Sequence, residues 1–278
     1  RCADHDEEFV WLRWDQLRQP DPVLRPMTDG TPRRVMFVSG GSRGIGAGIV
    51  TSAAAAGYDV AFTYREREAA ANDVIRAASA SSQARVRGYR LDVRDSSDVD
   101  RVCDEVLSDF DTVHVVVANA GISQAGLAFS TTDDEWKDVI DTNLTGAFYV
   151  ARQFLPALLA NGFGRFIFVS SIAARGMAGG AAYSASKAGL LGLSAALAKE
   201  YGRKGITSNA LILGFFETEM TDVALSAEKR ALFARHSPVG RIGETSEVAA
   251  AVQYLASDAA AFVNGQEIGL TGGLDWPL

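Results

Sequence analysis

Residues 34–56 constrain this chain more than any other stretch. The run Arg34-Val-Met-Phe-Val-Ser39 is apolar and β-rich, as a strand buried on both faces should be. Glycines stand at 40, 44 and 46, and an alanine-rich helical segment follows to Ala56. Glycines packed between a strand and a helix form a tight turn whose backbone N–H groups can approach a pyrophosphate at a helix N-terminus. The spacing is Gly-x-x-x-Gly-x-Gly, not the commoner Gly-x-Gly-x-x-Gly. An ordinary glycine-rich turn is the plainer alternative.

Periodicity extends the pattern. Strands are predicted near 34–39, 58–64, 85–91, 113–118, 164–170, 206–212 and 267–270. Helices are predicted near 44–56, 67–80, 96–109, 133–160, 182–202, 221–235 and 245–257. Strict alternation implies an α/β fold: one Rossmann-like, doubly wound parallel sheet of about seven strands with helices on both faces. No linker interrupts residues 34–278, which read as one domain. Residues 1–33 read as a loosely ordered extension with acids, Trp11, Trp14 and several prolines; a segment docking through its tryptophans is the alternative. Ligands of such sheets bind outside the carboxyl ends of the strands. Ser39, Asn119 and Ser171 fall at those ends and should face one crevice.

Tyr183-Ser-Ala-Ser-Lys187 supplies candidate chemistry. Residues four apart share a helix face, with Cβ atoms about 5–6 Å apart. A nearby ammonium stabilises a phenolate, so Lys187 is expected to lower the Tyr183 pKa and let the phenol exchange a proton with an alcohol or alkoxide near neutrality.

Composition excludes other classes. The net charge of −7 argues against a nucleic-acid surface. Two cysteines and three histidines give neither a disulfide framework nor metal-ligand spacing, so no metal is expected. Residues 112–132 lack charged acids and bases but carry Asn119, Gln124 and several hydroxyls, so no membrane span is expected. The N-terminus is acidic and has no apolar core of a signal peptide, and a cytoplasmic location is the expectation.

Several further motifs fall in a fixed order: Leu91-Asp92-Val93, Asn119-Ala-Gly121, Asn143 in Asp-Thr-Asn-Leu, Ser170-Ser171, and Asn209 to Thr218 as a variant of Asn-x-x-x-Pro-Gly-x-x-x-Thr. With the glycine loop and the Tyr/Lys pair, they make residues 35–273 resemble a short-chain dehydrogenase/reductase, in particular the 3-oxoacyl-(acyl-carrier-protein) reductases. The resemblance implies a catalytic set of Asn143, Ser171, Tyr183 and Lys187. It implies cofactor contacts from Gly40, Ser42, Arg43, Gly44, Ile45 and Gly46, from Asp92 and Val93 on the adenine, and from Asn119, Ala120 and Gly121 along the ribose. Tyr183 and Lys187, with Gly214, Phe216 and Thr218, would hold the nicotinamide side. Leu213 stands where the family has proline, which leaves that turn less restricted.

Charge bears on the cofactor. The second strand ends Tyr64-Arg65 with no acid before Glu66, and Arg43 lies in the glycine loop. Two guanidiniums suit a 2′-phosphate, so NADPH is expected over NADH. Hydride transfer to a ketone carbon would be completed by a proton from Tyr183, with a serine hydroxyl on the carbonyl and a water held by Asn143. Spacing to Tyr183 favours Ser170; strand-end register and distance from Asn143 favour Ser171, chosen here with a one-residue shortening in 172–182. The segment 219–237 is expected to form a flap. Phe215, Phe216, Met220 and residues 177–180 would shape an apolar mouth, and Arg152, Arg165 and Arg175 are surface candidates for an acyl carrier protein or CoA. The resemblance also implies a homotetramer. The expected substrate is the 3-keto group of an acyl thioester. Another ketone or alcohol, or a non-catalytic nucleotide-binding regulator, are the alternatives.

Overall fold

The computed structural model describes residues 33–218 and 226–274. Most of the N-terminal extension, and Met220 of the expected mouth, lie outside them.

Strands β1 (Val35–Val38), β2 (Asp59–Tyr64), β3 (Val86–Arg90), β4 (Val115–Ala118), β5 (Gly164–Ser171), β6 (Ile206–Leu213) and β7 (Glu267–Leu270) form one sheet in the order β3-β2-β1-β4-β5-β6-β7. Every pairing is parallel. Helices α1 (Gly44–Ala55), α2 (Glu68–Ser81), α3 (Ser96–Phe110), α4 (Asp133–Ile140), α5 (Gly146–Asn161), α6 (Ala181–Tyr201), α7 (Ala227–His236) and α8 (Thr245–Ala256) fill the connections.

The apolar runs are explained by burial on both faces. Alternate residues of β1 enter different cores: Met36 and Val38 pack with α1 and α8, Val35 and Phe37 with α3, α5 and α6. The same parity holds in β4 and β5, where Val115, Val117, Ile167 and Val169 face one way and Val116, Ala118, Phe166 and Phe168 the other. A pleated strand with both faces covered has no polar face to show. The sheet's strand order reverses at β1/β4, so a crevice opens at the carboxyl ends of those strands.

Two expectations need correction. The helix expected over 133–160 is broken: α4 begins at a Thr132/Glu135 capping box, and a wide turn with i→i+5 character at Asp141–Thr145 separates it from α5. Such turns admit one extra residue and re-aim a side chain; the residue re-aimed here is Asn143. Arg165, expected at the surface, is 3% exposed. It sits at the end of β5 opposite Ser171, 4.1 Å from the Phe163 ring centroid, and donates to the Gly164 and Gly205 carbonyls. The aromatic ring and carbonyls replace water around the guanidinium, which rules it out as a docking residue. Among the described residues, no helix is long and apolar enough to cross a membrane.

Candidate active site

The glycine loop joins β1 to α1. Gly40 has φ +68°, and a Cβ there would lie 2.9 Å from Ala120 Cα. At Gly46 a Cβ would meet the Gly40 carbonyl oxygen at 2.1 Å, so no other residue lets the helix start so close to the loop. Side-chain bonds stitch the loop down. Ser39 Oγ accepts from the Asn119 and Ala120 N–H groups at 3.0 Å each, and Asn119 Nδ2 donates to the Ser39 and Gly40 carbonyls. The Gly40 and Gly41 N–H groups donate to the Thr63 hydroxyl and carbonyl. The Asn119 amide is therefore spent on the loop. Unlike α3, α4 and α8, whose first turns are capped by Asp95, Thr132/Glu135 and Glu244/Glu247, α1 has no side-chain cap and no acid in its first turn. Its orphan N–H groups are left for another acceptor.

The loop opens into one cleft of about 650 Å³. At its outer end stand Arg43, Arg65, Glu66 and Arg67. Arg65 is paired with Glu66 at 2.9 Å, both well exposed, so the acid partly neutralises the guanidinium at that end. Asp92 is gripped by Arg94 through two guanidinium nitrogens and the backbone N–H, which holds its carboxyl below the usual range. Its carboxylate is thus shared before any adenine contact.

At the inner end the two adjacent serines part company. Ser170 is 2% exposed and donates to the Lys187 carbonyl at 2.8 Å, tying β5 to α6. Ser171 accepts the Ala173 N–H, closing the short turn Ile172–Arg175, and its hydroxyl stands close enough to the Tyr183 phenol to act on its ionisation. Burial pushes the Tyr183 pKa above its usual value, and the Ser171 hydroxyl opposes that rise. Lys187 does not supply the expected lowering. Its ammonium donates to the Val169 carbonyl at 2.7 Å, 5.7 Å from the Tyr183 ring centroid, and burial pushes its own pKa down to about 8. Desolvation outweighs the cation in this geometry.

Asn143 is 1% exposed and stands behind the cleft wall. Its amide pairs with both backbone groups of Ile122, accepting at 2.8 Å and donating at 2.9 Å, and donates to Ser186 Oγ, which in turn donates to the Tyr183 carbonyl. A Cβ at Gly121 would lie 3.3 Å from Asn143 Oδ1 and 3.4 Å from Lys187 Nζ, so glycine keeps that corner open. The side chain acts as a clamp between the loop after β4 and α6. Periodicity gave no sign of Ser186; its place one residue before Lys187, on the inner face of α6, was the available signal.

The cleft gathers all the other expected contacts: Gly40, Ser42, Arg43, Gly44, Ile45, Gly46, Arg65, Asp92, Val93, Asn119, Ala120, Gly121, Ser171, Tyr183, Lys187, Gly214, Phe216 and Thr218. Leu213 ends β6 buried in the main core, so packing holds the turn where a proline ring would have. Phe216 is drawn into that core too, against Gly243. Phe215 remains at the apolar end with Ile172, Met177, Leu232 and Phe233. Phe233 lies on α7, where only a contact distant in sequence marks its role.

A family model described as Enoyl-(Acyl carrier protein) reductase matches residues 40–275. The 3-oxoacyl-(acyl-carrier-protein) reductase FabG of Escherichia coli K12 is 37% identical over 242 residues, 87% of this chain and 97% of that protein. An acetoacetyl-CoA reductase of Rhizobium meliloti is 41% identical over 242 residues, 86% of this chain and 98% of that protein. A crystal structure from Sinorhizobium meliloti 1021, assigned as a short-chain alcohol dehydrogenase, superposes with a TM-score of 0.82 at 30% identity, covering 86% of this chain and 95% of the other.

Proposed function

We propose that this chain, which belongs to the short-chain dehydrogenase/reductase family, is an NADPH-dependent reductase of the 3-keto group of an acyl thioester carried on CoA or on an acyl carrier protein. It is an oxidoreductase of C=O and CH–OH groups, and the family implies a nicotinamide cofactor. The residues fit such a group. Glycines at 40 and 46 let the loop fold tightly on itself and on Ala120, the α1 N-terminus is uncapped, and Arg43, Arg65 and Arg67 line the same cleft. Gly40 to Gly46 would hold the pyrophosphate, Arg43 and Arg65 a 2′-phosphate, and Lys187, Gly214 and Thr218 the nicotinamide side. When bound, NADPH supplies the hydride.

The meeting of the Ser171 and Tyr183 hydroxyls in one cleft carries the reading. Two neighbouring hydroxyls can both donate to a single carbonyl oxygen, fixing the carbonyl and stabilising the charge that develops on it. A phenol is protonated at neutral pH and so has a proton to give to that oxygen; burial raises the Tyr183 pKa and the Ser171 hydroxyl opposes the rise. Lys187 holds the Val169 carbonyl and, with Asn143 and Ser186, fixes α6 behind the phenol. The relatives' names support a 3-oxoacyl thioester. The apolar wall of Ile172, Met177, Phe215 and Phe233 favours a second reading, since it would accept another hydrophobic ketone equally well.

The test is oxidation of NADPH and NADH, followed by loss of reduced-nicotinamide absorbance, with acetoacetyl-CoA, crotonyl-CoA and an unrelated aryl ketone. Turnover of acetoacetyl-CoA with NADPH, and a loss of about 100-fold or more in Tyr183→Phe with cofactor binding retained, is expected. Turnover of the aryl ketone alone would transfer the protein to the second reading, and reduction of crotonyl-CoA alone would remove the carbonyl chemistry.

A further inference from the structure

The apolar end of the cleft is closed by a single aromatic pair. Phe215, one residue past Gly214, and Phe233 on α7 stack with ring centroids 3.6 Å apart and planes 25° apart. Phe233 belongs to a small separate core with Ile172, Ile212 and Leu274, against which Phe215 and Leu191 pack. Both rings, and Ile172, line the cleft that holds Ser171 and Tyr183. The pair is therefore the cleft-side wall of that small core.

The wall depends on one side chain of α7. Among the described side chains of that helix only Phe233 is buried, and it carries Glu228, Arg230, Arg235 and His236 on exposed or partly exposed positions. Its further ties include an Arg230–Glu217 pair at 3.2 Å and, just beyond the helix, the Ser237 hydroxyl donating to the Gly272 carbonyl. Phe215 is fixed from the other side. Its carbonyl accepts the Gly243 N–H, and the neighbouring Phe216 is locked in the main core. One ring thus stands on a rigid strand end, and its partner on a polar helix pinned through that ring.

We propose that the Phe215–Phe233 stack sets the length of the substituent accepted beyond the keto group, making this a short-chain reductase that discriminates against longer acyl groups. The inference rests on the thioester reading of the site. A carbonyl oxygen at Ser171 and Tyr183 leaves one substituent facing the apolar end, and the stack ends that space. Hydrophobic pockets distinguish substrates by methylenes, roughly 10–200-fold each where a wall blocks the extra group.

The experiment compares acetoacetyl-CoA with 3-oxooctanoyl-CoA on wild type, Phe233→Leu, Phe233→Ala and Phe215→Leu. Wild type should favour the shorter substrate. In Phe233→Leu and Phe233→Ala the kcat/KM ratio of long to short substrate should rise about tenfold or more. Calorimetric binding of 3-hydroxyoctanoyl-CoA against 3-hydroxybutyryl-CoA should shift in the same direction without turnover. Should the alanine variant not fold, the leucine variants carry the test, since they keep an apolar side chain. An unchanged ratio in folded variants, or a wild type that prefers the longer substrate, overturns the proposal. If wild type reduces neither thioester, it is the thioester reading itself that fails, and this outcome is separate from an unchanged ratio.

Discussion

The two ends of the cleft are built by different means. The nucleotide end, from Ser39 to Gly46 with Asn119 to Gly121, is a lattice of backbone and side-chain hydrogen bonds in which Ser39, Asn119 and Thr63 leave no slack. The substrate end is an apolar wall that includes one ring stack, on a helix in which Phe233 is the one buried side chain among those described. The first region needs particular residue types, because only glycine fits where a Cβ would reach 2.1 Å from a carbonyl oxygen. The second needs only apolar bulk. The difference suits a site that keeps one cofactor and adapts its substrate.

Five substitutions would break or sharpen this contrast. The largest effect is expected from Gly46→Val. Its side chain collides with the Gly40 carbonyl, and NADPH affinity, read by fluorescence titration, should fall about 100-fold or more with a lower melting temperature. Tight binding in a folded variant would show that the loop is not rigid. Next come Arg43→Ala and Arg65→Ala. Charge-assisted bonds to a phosphate are worth roughly 1.5–3 kcal/mol, so each should cut NADPH affinity about tenfold and leave NADH binding nearly unchanged. Equal losses for both cofactors would remove the 2′-phosphate assignment.

A third effect concerns pH. Burial lowers the Lys187 pKa to about 8 from its usual 10.5, so the folded protein binds fewer protons than the unfolded chain between those values. Stability from this group is therefore gained as pH rises through that window and lost as pH falls through about 8. Denaturant melts of wild type and Lys187→Met from about pH 8 to 10.5 should differ by a slope of at most about 1.4 kcal/mol per pH unit. Parallel curves would mean that the ammonium is solvated. The smallest effect is expected from Asp95→Ala, which removes the α3 cap to Ser97 and Asp98 and should cost about 1 kcal/mol without altering cofactor affinity. It marks what an ordinary helix start contributes, against the open start of α1.

How far the sequence could be read follows the same division. All seven strands lie where they were predicted; the central β1 and β4 are apolar throughout because both faces are covered, whereas the edge strands β3 and β7 alternate with exposed residues. The glycine loop was readable because sterics dictate it. The break at Asp141–Thr145 was not readable, since the i→i+5 turn serves a clamp on Ile122, a contact across 21 residues that periodicity does not encode. Arg165 was misjudged because a charged residue at a strand start resembles a surface residue until Phe163 and Arg34 are seen around it. The expected lowering of the Tyr183 pKa came from helical spacing alone, which records proximity but not burial. Phe233 was overlooked because its partner, Phe215, is chosen by shape and not by any spacing.

The central claim is that the chemistry rests on Ser171 with Tyr183, and that Ser170, its neighbour, only fastens β5 to α6. The direct test is kcat for acetoacetyl-CoA reduction by NADPH in Ser171→Ala and Ser170→Ala, with a melting curve for each. Loss of about 100-fold in kcat for Ser171→Ala at an unchanged melting temperature is predicted, since a donor to a developing oxyanion is worth that much. Ser170→Ala should instead melt lower and keep kcat within about fivefold, having lost a buried hydrogen bond of about 1 kcal/mol. Full activity in Ser171→Ala, or a catalytic collapse in a stable Ser170→Ala, would contradict the account.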